Sequence, residues 1–424
     1  MHASLLTPRE RVVITGLGVV TPVGIGVGPF WDALTEGRSG IDWIRGFDTS
    51  QIYCKIGGEV RDFDPTEFRA PKHAARSGKF SNFAVAAAQL AMRDAALDPG
   101  RVDPYKMGAI FGTTMAGQGS IGDEVYALLH QQRMSTEGLD LMAPSEMAAH
   151  AGTANVFIEL GMKGPNTTTG VGCVATLDAV NSATALLRSG RAHVMVAGAA
   201  EACLSQVGMS LLAAQKVLTK RNDPPQAACC PYDQRRDGLV LSEGSAAVVL
   251  ETAEHAMDRG ARIYAEVMGY AATTEAHHLL LAKADGEELA RAFRQALLQA
   301  KMASDEVDYI CAHGIGNKQY DVAETNAVKM VMGERAYHVP MSSIKSMTGQ
   351  PFAAGGGWQI AAACLAMQSG LVPPTINLDE PDPDCDLDYV PHEARRARVE
   401  TVMLNSHSVG GTHACLLIRR FEYH

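Results

Sequence analysis

Long apolar runs are missing from this chain. No window approaches ~18 uninterrupted apolar residues, which argues against a membrane-spanning helix. The opening stretch, Met1 to Arg11, lacks the extended apolar segment of a secretory leader. Arginine-rich and aromatic-interleaved stretches are also missing, aromatics make up only 6%, and the formal net charge is −10. An acidic chain without such stretches is a poor nucleic-acid binder, because that binding rests on neutralising phosphates. The nine cysteines are Cys54, Cys173, Cys203, Cys229, Cys230, Cys311, Cys364, Cys385 and Cys415. They are scattered and odd in number, with neither zinc-ligand spacing nor a compact disulfide framework. The expectation is a protein of the reducing cytoplasm, with no metal, no membrane and no nucleic acid among its partners.

What is present is core material. At 424 residues and 46% hydrophobic, the chain has enough for two or three average domains or one large two-part core. Its 41 glycines point to tight turns and close backbone packing. The most informative run is Gly170-Val171-Gly172-Cys173-Val174-Ala175-Thr176. It precedes Leu177, Val180, Ala183 and Leu187 at helical spacing, with Arg188 and Gly190 as stop signals. A thiol at a helix N-terminus faces unpaired N–H groups and the positive end of the dipole. Both favour thiolate over thiol, so Cys173 suits a nucleophile. The competing reading is a small buried apolar residue.

The chain also echoes itself. Cys173 to Gly190 and Ala353 to Gly370 lie 180 positions apart; each is a small-residue turn followed by an apolar helix ending at glycine. Met107 to Thr113 resembles Val307 to His313, and Arg11 to Gly18 has a counterpart in Arg262 to Gly269. Several elements matching in order imply a duplicated α/β unit whose halves, 1–257 and 258–424, meet near residue 258. Alternating buried strands and helices imply sheets covered by helices. Loops at strand C-termini then gather into one site, which brings Cys173 towards the loops around His313 and Gln350.

These residues resemble the β-ketoacyl-acyl-carrier-protein synthases of type II fatty-acid and polyketide synthesis, within the thiolase-like superfamily. The likeness runs nearly end to end. It is carried by Val12 to Gly18, His193 to Ala199, Pro231-Tyr232-Asp233 with Arg236-Asp237-Gly238, Ala312-His313-Gly314, Ser343 to Gly349, Val372 to Leu378, and Asn405-Ser406 with Gly410-Gly411-Thr412. The resemblance implies a five-layered αβαβα fold built from two similar halves, usually dimeric. It implies that Cys173 takes an acyl chain from the phosphopantetheine of an acyl carrier protein as a thioester, with no cofactor of its own. It further implies His313 as the first active-site histidine, Glu324 as the acidic residue that follows that histidine, and Lys345 as the active-site lysine. A direct Lys345–Glu324 pairing is the favoured reading.

The chain departs from that pattern on one side of the site. Where a second histidine is expected after Thr348-Gly349 stands Gln350. A glutamine donates a hydrogen bond but carries no charge and shuttles no proton. Outright loss of an oxyanion donor costs about 3 kcal/mol in comparable sites, of which a neutral donor retains part. Of two expected arm-binding threonines, one is Ile315; Asn317 offers a polar replacement for the other, and Leu280 stands at a further tunnel position. In the gating loop His407 and Val409 replace phenylalanines, and Val409 leaves room for a bulkier chain. Two readings of His407 stand side by side: a relocated acid–base group, or a filler of the space of a missing aromatic.

The expectation from this resemblance is therefore a ketosynthase-type acyltransferase that condenses its acyl chain with malonyl carrier protein. Cys173 forms the thioester, His313 and Gln350 polarise the carbonyl, and Asn317 and Thr412 hold the carrier arm. The run Lys72 to Lys79 is a basic cluster suited to an acidic carrier or to plain solvation. Three alternatives stay open: acyl transfer without decarboxylation, a non-catalytic partner like the chain-length factors, and a thiolase-like enzyme of coenzyme A esters. The subunit pairs with itself or with a second ketosynthase-fold chain. Gly355-Gly356-Gly357 reads as close helix packing, and Cys229-Cys230 as packing rather than a bridge.

Overall fold

A computed structural model describes residue 7, residues 9–130 and residues 140–423. Of the opening stretch read above, residues 1–6 and 8 lie outside the described residues. Ten strands form the main sheet: β1 (Val12–Thr21), β2 (Met107–Gly112), β3 (Asn166–Thr169), β4 (Val194–Glu201), β5 (Gly244–Thr252), β6 (Ala265–Thr274), β7 (Tyr309–Cys311), β8 (Met341–Ser342), β9 (Thr401–Ser408) and β10 (Thr412–Arg419). A short ribbon strand, Gly24–Ile25, hangs on β1.

The order across the sheet is β8-β7-β9-β10-β6-β1-β5-β4-β2-β3. Taken outward from the middle, each half repeats one pattern. The first strand pairs antiparallel with the fifth, the fifth antiparallel with the fourth, and the fourth, second and third run parallel. This is the duplication read from the sequence, in the same element order. The two half-sheets are stitched by two residue pairs, Val13–Glu266 and Ile14–Ala265.

Five helices complete the layers: α1 (Lys79–Asp94), α2 (Ala175–Arg188), α3 (Glu287–Ala300), α4 (Lys318–Met332) and α5 (Gly355–Ser369). Outer helix α1 packs on β1, β5 and β4, while α3 packs on β6 and β10 with α4 beside it. Between the half-sheets lie α2 and α5, in contact with each other. All residues of α5 from Gly355 to Met367 are buried, as a helix wrapped by protein on every side requires. Its glycines serve contact: a Cβ at Gly356 would meet Leu177 and Thr176, and one at Gly357 would meet Ala246. Close packing is thus what the triple glycine does.

Gln359, buried in α5, makes a knot at the centre. Its Nε2 lies 2.9 Å from the Cys311 carbonyl, 2.8 Å from that of Ala312 and 3.1 Å from that of Asn405. Among the described residues no helix is long and apolar enough to cross a membrane, and no cluster of metal-ligand type is present.

The close seating of α1 on β1 depends on Gly16 and Gly18, where an added Cβ would collide with the carbonyls of Ala91 and Ala87. Gly18→Val is expected to lower stability by about 1–3 kcal/mol or more, the cost of overpacking a tight core. The measurement is the chemical-denaturation midpoint, and an unchanged midpoint would contradict the packing argument.

Candidate active site

The seam between the halves holds the site. Cys173 lies in a single turn, Gly172–Val174, that leads directly into α2. Its structural twin, Phe352–Ala354, leads into α5. The two turns are tied together by the Thr176 hydroxyl, which donates to the Ala353 carbonyl. Gln350 precedes the second turn. Its main chain is pinned by Val240 and Ser242, at 2.8 and 3.0 Å. Its Nε2 then reaches the Cys173 sulfur at 3.3 Å. The expected nucleophile and the residue in place of a second histidine are therefore in direct contact.

His313 follows β7. Its N–H and that of Gly314 both donate to Glu324, at 2.7 and 2.9 Å, and the Tyr232 hydroxyl donates to the same carboxylate at 2.8 Å. Lys345 Nζ donates to the His313 carbonyl at 2.7 Å. The expected Lys345–Glu324 ion pair is corrected by this geometry: no direct pair joins them, and the main chain at His313 and Gly314 stands between. Glu324 is spent on two main-chain donors and a phenol, leaving Lys345 to grip the opposite side of the same peptide.

Strand β9 supplies two hydroxyls that sequence reasoning did not single out. Ser406 Oγ donates to the Cys173 carbonyl at 2.9 Å and lies 3.4 Å from His313 Nδ1. Ser408 Oγ accepts from the Cys173 N–H at 3.3 Å. Period-two alternation puts both on one face of the strand. His407, between them, stacks on the His313 ring, with centroids 5.0 Å apart and planes at 12°. His413 meets the His407 ring edge-to-face at 5.0 Å, and its Nε2 lies 3.0 Å from Glu275 Oε1.

None of the remaining expected residues hydrogen-bonds to Cys173, whose side-chain partners among the described residues are Gln350, Ser406 and Ser408. Asn317 caps α4, its Oδ1 accepting from Gln319 and Tyr320. Ile315 is buried with Ala282 and Tyr320. The Leu280 carbonyl accepts from the Tyr320 hydroxyl at 3.3 Å. Val409 is half exposed, and Thr412 opens β10 opposite Ser408. Leu279 of the loop before Leu280 accepts from Gly410 at 2.6 Å, docking that loop on the glycines after Val409.

Electrostatics at the seam are set by the exclusion of water. Burial pushes the Cys173 thiol up to about 12, against a lesser downward pull from Lys345. This overturns the expectation of a helix terminus favouring thiolate: loss of hydration exceeds what the helix end returns. Glu201, another residue the sequence did not flag, ends β4 beside Thr113, Thr114 and Met115. Burial raises its carboxyl to about 7, and its charge also opposes a thiolate at Cys173. Burial first, then Lys345, pulls His313 well below the ordinary imidazole value; burial, then His413 and Lys345, does the same to His407. Lys345 itself is lowered by burial. The histidines are neutral at pH 7, each offering one donor and one acceptor nitrogen.

Of the basic run, Lys79 is paired with buried Glu243. Lys72, His73 and Arg76 instead line a 540 Å³ cleft with Arg69, Met142 and Ile158.

Two pH responses follow. Iodoacetamide modification of Cys173, located by mass spectrometry, is expected to climb through pH 8.5 without the plateau of an ordinary thiol near that pH. A plateau at or below 8.5 contradicts the raised thiol. For stability, an unfolded histidine binds a proton below about pH 6.5, whereas folded His313 and His407 do not until far lower pH. The unfolded state therefore gains protons first. Stability is complete above about 6.5 and falls as pH drops towards the folded-state values. His407→Phe is expected to flatten this decline between pH 6.5 and 5 in denaturation midpoints, and an unaltered slope contradicts the assignment.

Comparison with known proteins accords with this architecture. Residues 9–256 match the N-terminal domain family of beta-ketoacyl synthases, and residues 264–379 match the C-terminal domain family. The chain is 39% identical to a 3-oxoacyl-[acyl-carrier-protein] synthase 2 of Synechocystis, over 98% of this chain and 99% of the relative. It is 41% identical to the tetracenomycin polyketide synthase ketoacyl synthase alpha subunit of Streptomyces glaucescens, over 97% of each. Among solved structures, it superposes with a TM-score of 0.89 and 34% identity on a type II polyketide ketosynthase complex with its acyl-carrier protein, covering 97% of this chain and 99% of that one. The ishigamide ketosynthase/chain length factor gives 0.90 at 32% identity, with 97% and 99% covered. With its duplicated five-layered fold and a cysteine at the seam, the chain belongs to the β-ketoacyl synthase family.

Proposed function

We propose that this chain is a carrier-protein-dependent ketosynthase of fatty-acid or polyketide type. Cys173 accepts an acyl chain from the phosphopantetheine arm of an acyl carrier protein as a thioester, then condenses it with a malonyl unit held on a carrier. The contact that carries the reading is Gln350 Nε2 to Cys173 Sγ, a neutral donor beside a buried thiol. That thiol is protonated at rest. Its proton must therefore leave as the C–S bond forms, and neutral His313 is the base suited to take it and return it to the departing carrier thiol. Gln350 polarises the carbonyl without shuttling a proton. Lys345, anchored on the His313 carbonyl, supplies a buried positive charge, and Glu324 holds the loop.

The arm is held by Asn317 and Thr412 beside an apolar wall of Ile315 and Leu280, with His407 and Val409 at the gate. In the cleft of the basic run, which Glu146 also lines, Lys72 and Arg76 suit an acidic carrier protein through charge complementarity, whereas Arg69 is paired with Glu159. The halves 1–257 and 258–424 carry the nucleophile and the facing loops respectively. The enzyme works in the cytoplasm as a dimer, with itself or with a second ketosynthase-fold subunit; all nine cysteines are free and buried. A second reading, a chain-length-factor-like partner, is favoured by Gln350 and Ile315, and retained Cys173 and His313 oppose it.

Incubation with acyl carrier protein is expected to add one acyl mass to the intact protein, and Cys173→Ala is expected to remove that adduct. No adduct with any acyl donor would overturn the catalytic reading in favour of the partner role. With malonyl carrier protein added, carbon dioxide release marks elongation, and its absence marks transfer alone. Gln350→His is expected to raise that release by about tenfold or more, since a titratable group replaces a fixed donor. An unchanged rate would show that this position does not limit the step.

A further inference from the structure

The Cys173 amide has a partner that lies on the path of the chemistry. Ser408 Oγ accepts from the Cys173 N–H at 3.3 Å, and both residues are buried. The same hydroxyl is among the groups that favour a thiolate at Cys173. Gly172, at φ 65°, lets the nucleophile's turn come this close, because a Cβ there would collide with the Ser408 hydroxyl. Ser406 holds the adjoining Cys173 carbonyl at 2.9 Å, so β9 grips the peptide groups on both sides of the residue.

In acyl transfer, the sulfur forms a bond to the carbonyl carbon and the C=O π electrons move to oxygen. The resulting oxyanion needs preorganised donors, and the main-chain N–H of the nucleophile is a common one. Collapse re-forms C=O, breaks the bond to the leaving group and passes the thiol's proton to it.

We propose that Ser408 is a latch on the Cys173 amide: its hydroxyl occupies the place from which an acyl oxygen would accept that N–H, and acyl transfer requires the hydroxyl to turn away. Ser408 is thus a positioning residue that holds the resting site closed against oxyanion-forming reactions. This rests on Cys173 being the nucleophile. It is independent of whether malonyl is decarboxylated, and of the carrier.

The test compares two reactions of Cys173 at one pH. A p-nitrophenyl acyl ester acylates the thiol through an oxyanion, whereas iodoacetamide alkylates it by displacement with no oxyanion at the carbonyl. The measurements are the acylation and alkylation rates of the wild type, Ser408→Ala and Ser408→Gly, with Cys173 confirmed as the modified residue by mass. The expected result is a ratio of acylation to alkylation about three- to tenfold higher in both variants, the factor one neutral hydrogen bond is worth. A ratio that stays level or falls in both variants overturns the latch. So does a Ser408→Ala protein whose Cys173 alkylates but does not acylate. Failure of Cys173 to react with either reagent in every protein would instead remove the nucleophile reading, and the latch with it. If one variant fails to fold, the other carries the comparison.

Discussion

Two helices begin where two half-sheets meet, and the water kept out of that junction governs the chemistry. The turns at Gly172–Val174 and Phe352–Ala354 are related by the internal repeat and joined through Thr176 and Ala353. Placing a thiol there removes its hydration before it gains anything from the helix end. A carboxyl, a lysine and two imidazoles close by respond in the same direction, each moved towards its neutral form. With the thiol and both imidazoles neutral at rest, charge created by reaction is poorly screened and interacts strongly with fixed dipoles.

Such a site works by preorganisation rather than by a standing ion pair. The loop of His313 is locked by Glu324 on its N–H groups and by Lys345 on its carbonyl. Gln350 is locked by its own main chain before its amide meets sulfur. Replacing a histidine by glutamine keeps this geometry and discards titration. His407 shows the reverse exchange: an imidazole with no hydrogen-bond partner among the described residues stands where the family pattern has an aromatic ring. Its stack on His313 keeps the aromatic contact, and its nitrogens bring a polarity that phenylalanine lacks.

Much of this was legible in the sequence, because it lay in local pattern. The helix expected after Cys173 spans Ala175–Arg188, and the repeated strands occupy equivalent places in the two halves. What escaped depends on residues far apart in the chain. Ser408 and Cys173 are separated by 235 positions, and Gln350 and Cys173 by 177. Burial of the helix start is imposed by the opposite half, so a helix end that by itself favours thiolate carries a thiol instead. Lys345 and Glu324 were matched by charge alone. The peptide group that separates them is visible only once β7 and α4 are in place.

The Gln359 knot has a consequence for how such a protein diversifies. One amide nitrogen with two hydrogens serves three carbonyls on two strands, so it is oversubscribed and has no slack. Strands β7 and β9 and helix α5 thus shift as one block or not at all. The loops carrying Leu279 and Val409 meet outside that block, through Gly410. Substitution there can reshape the entrance while the reacting groups keep their spacing. The fold separates a frame that resists change from a rim that tolerates it.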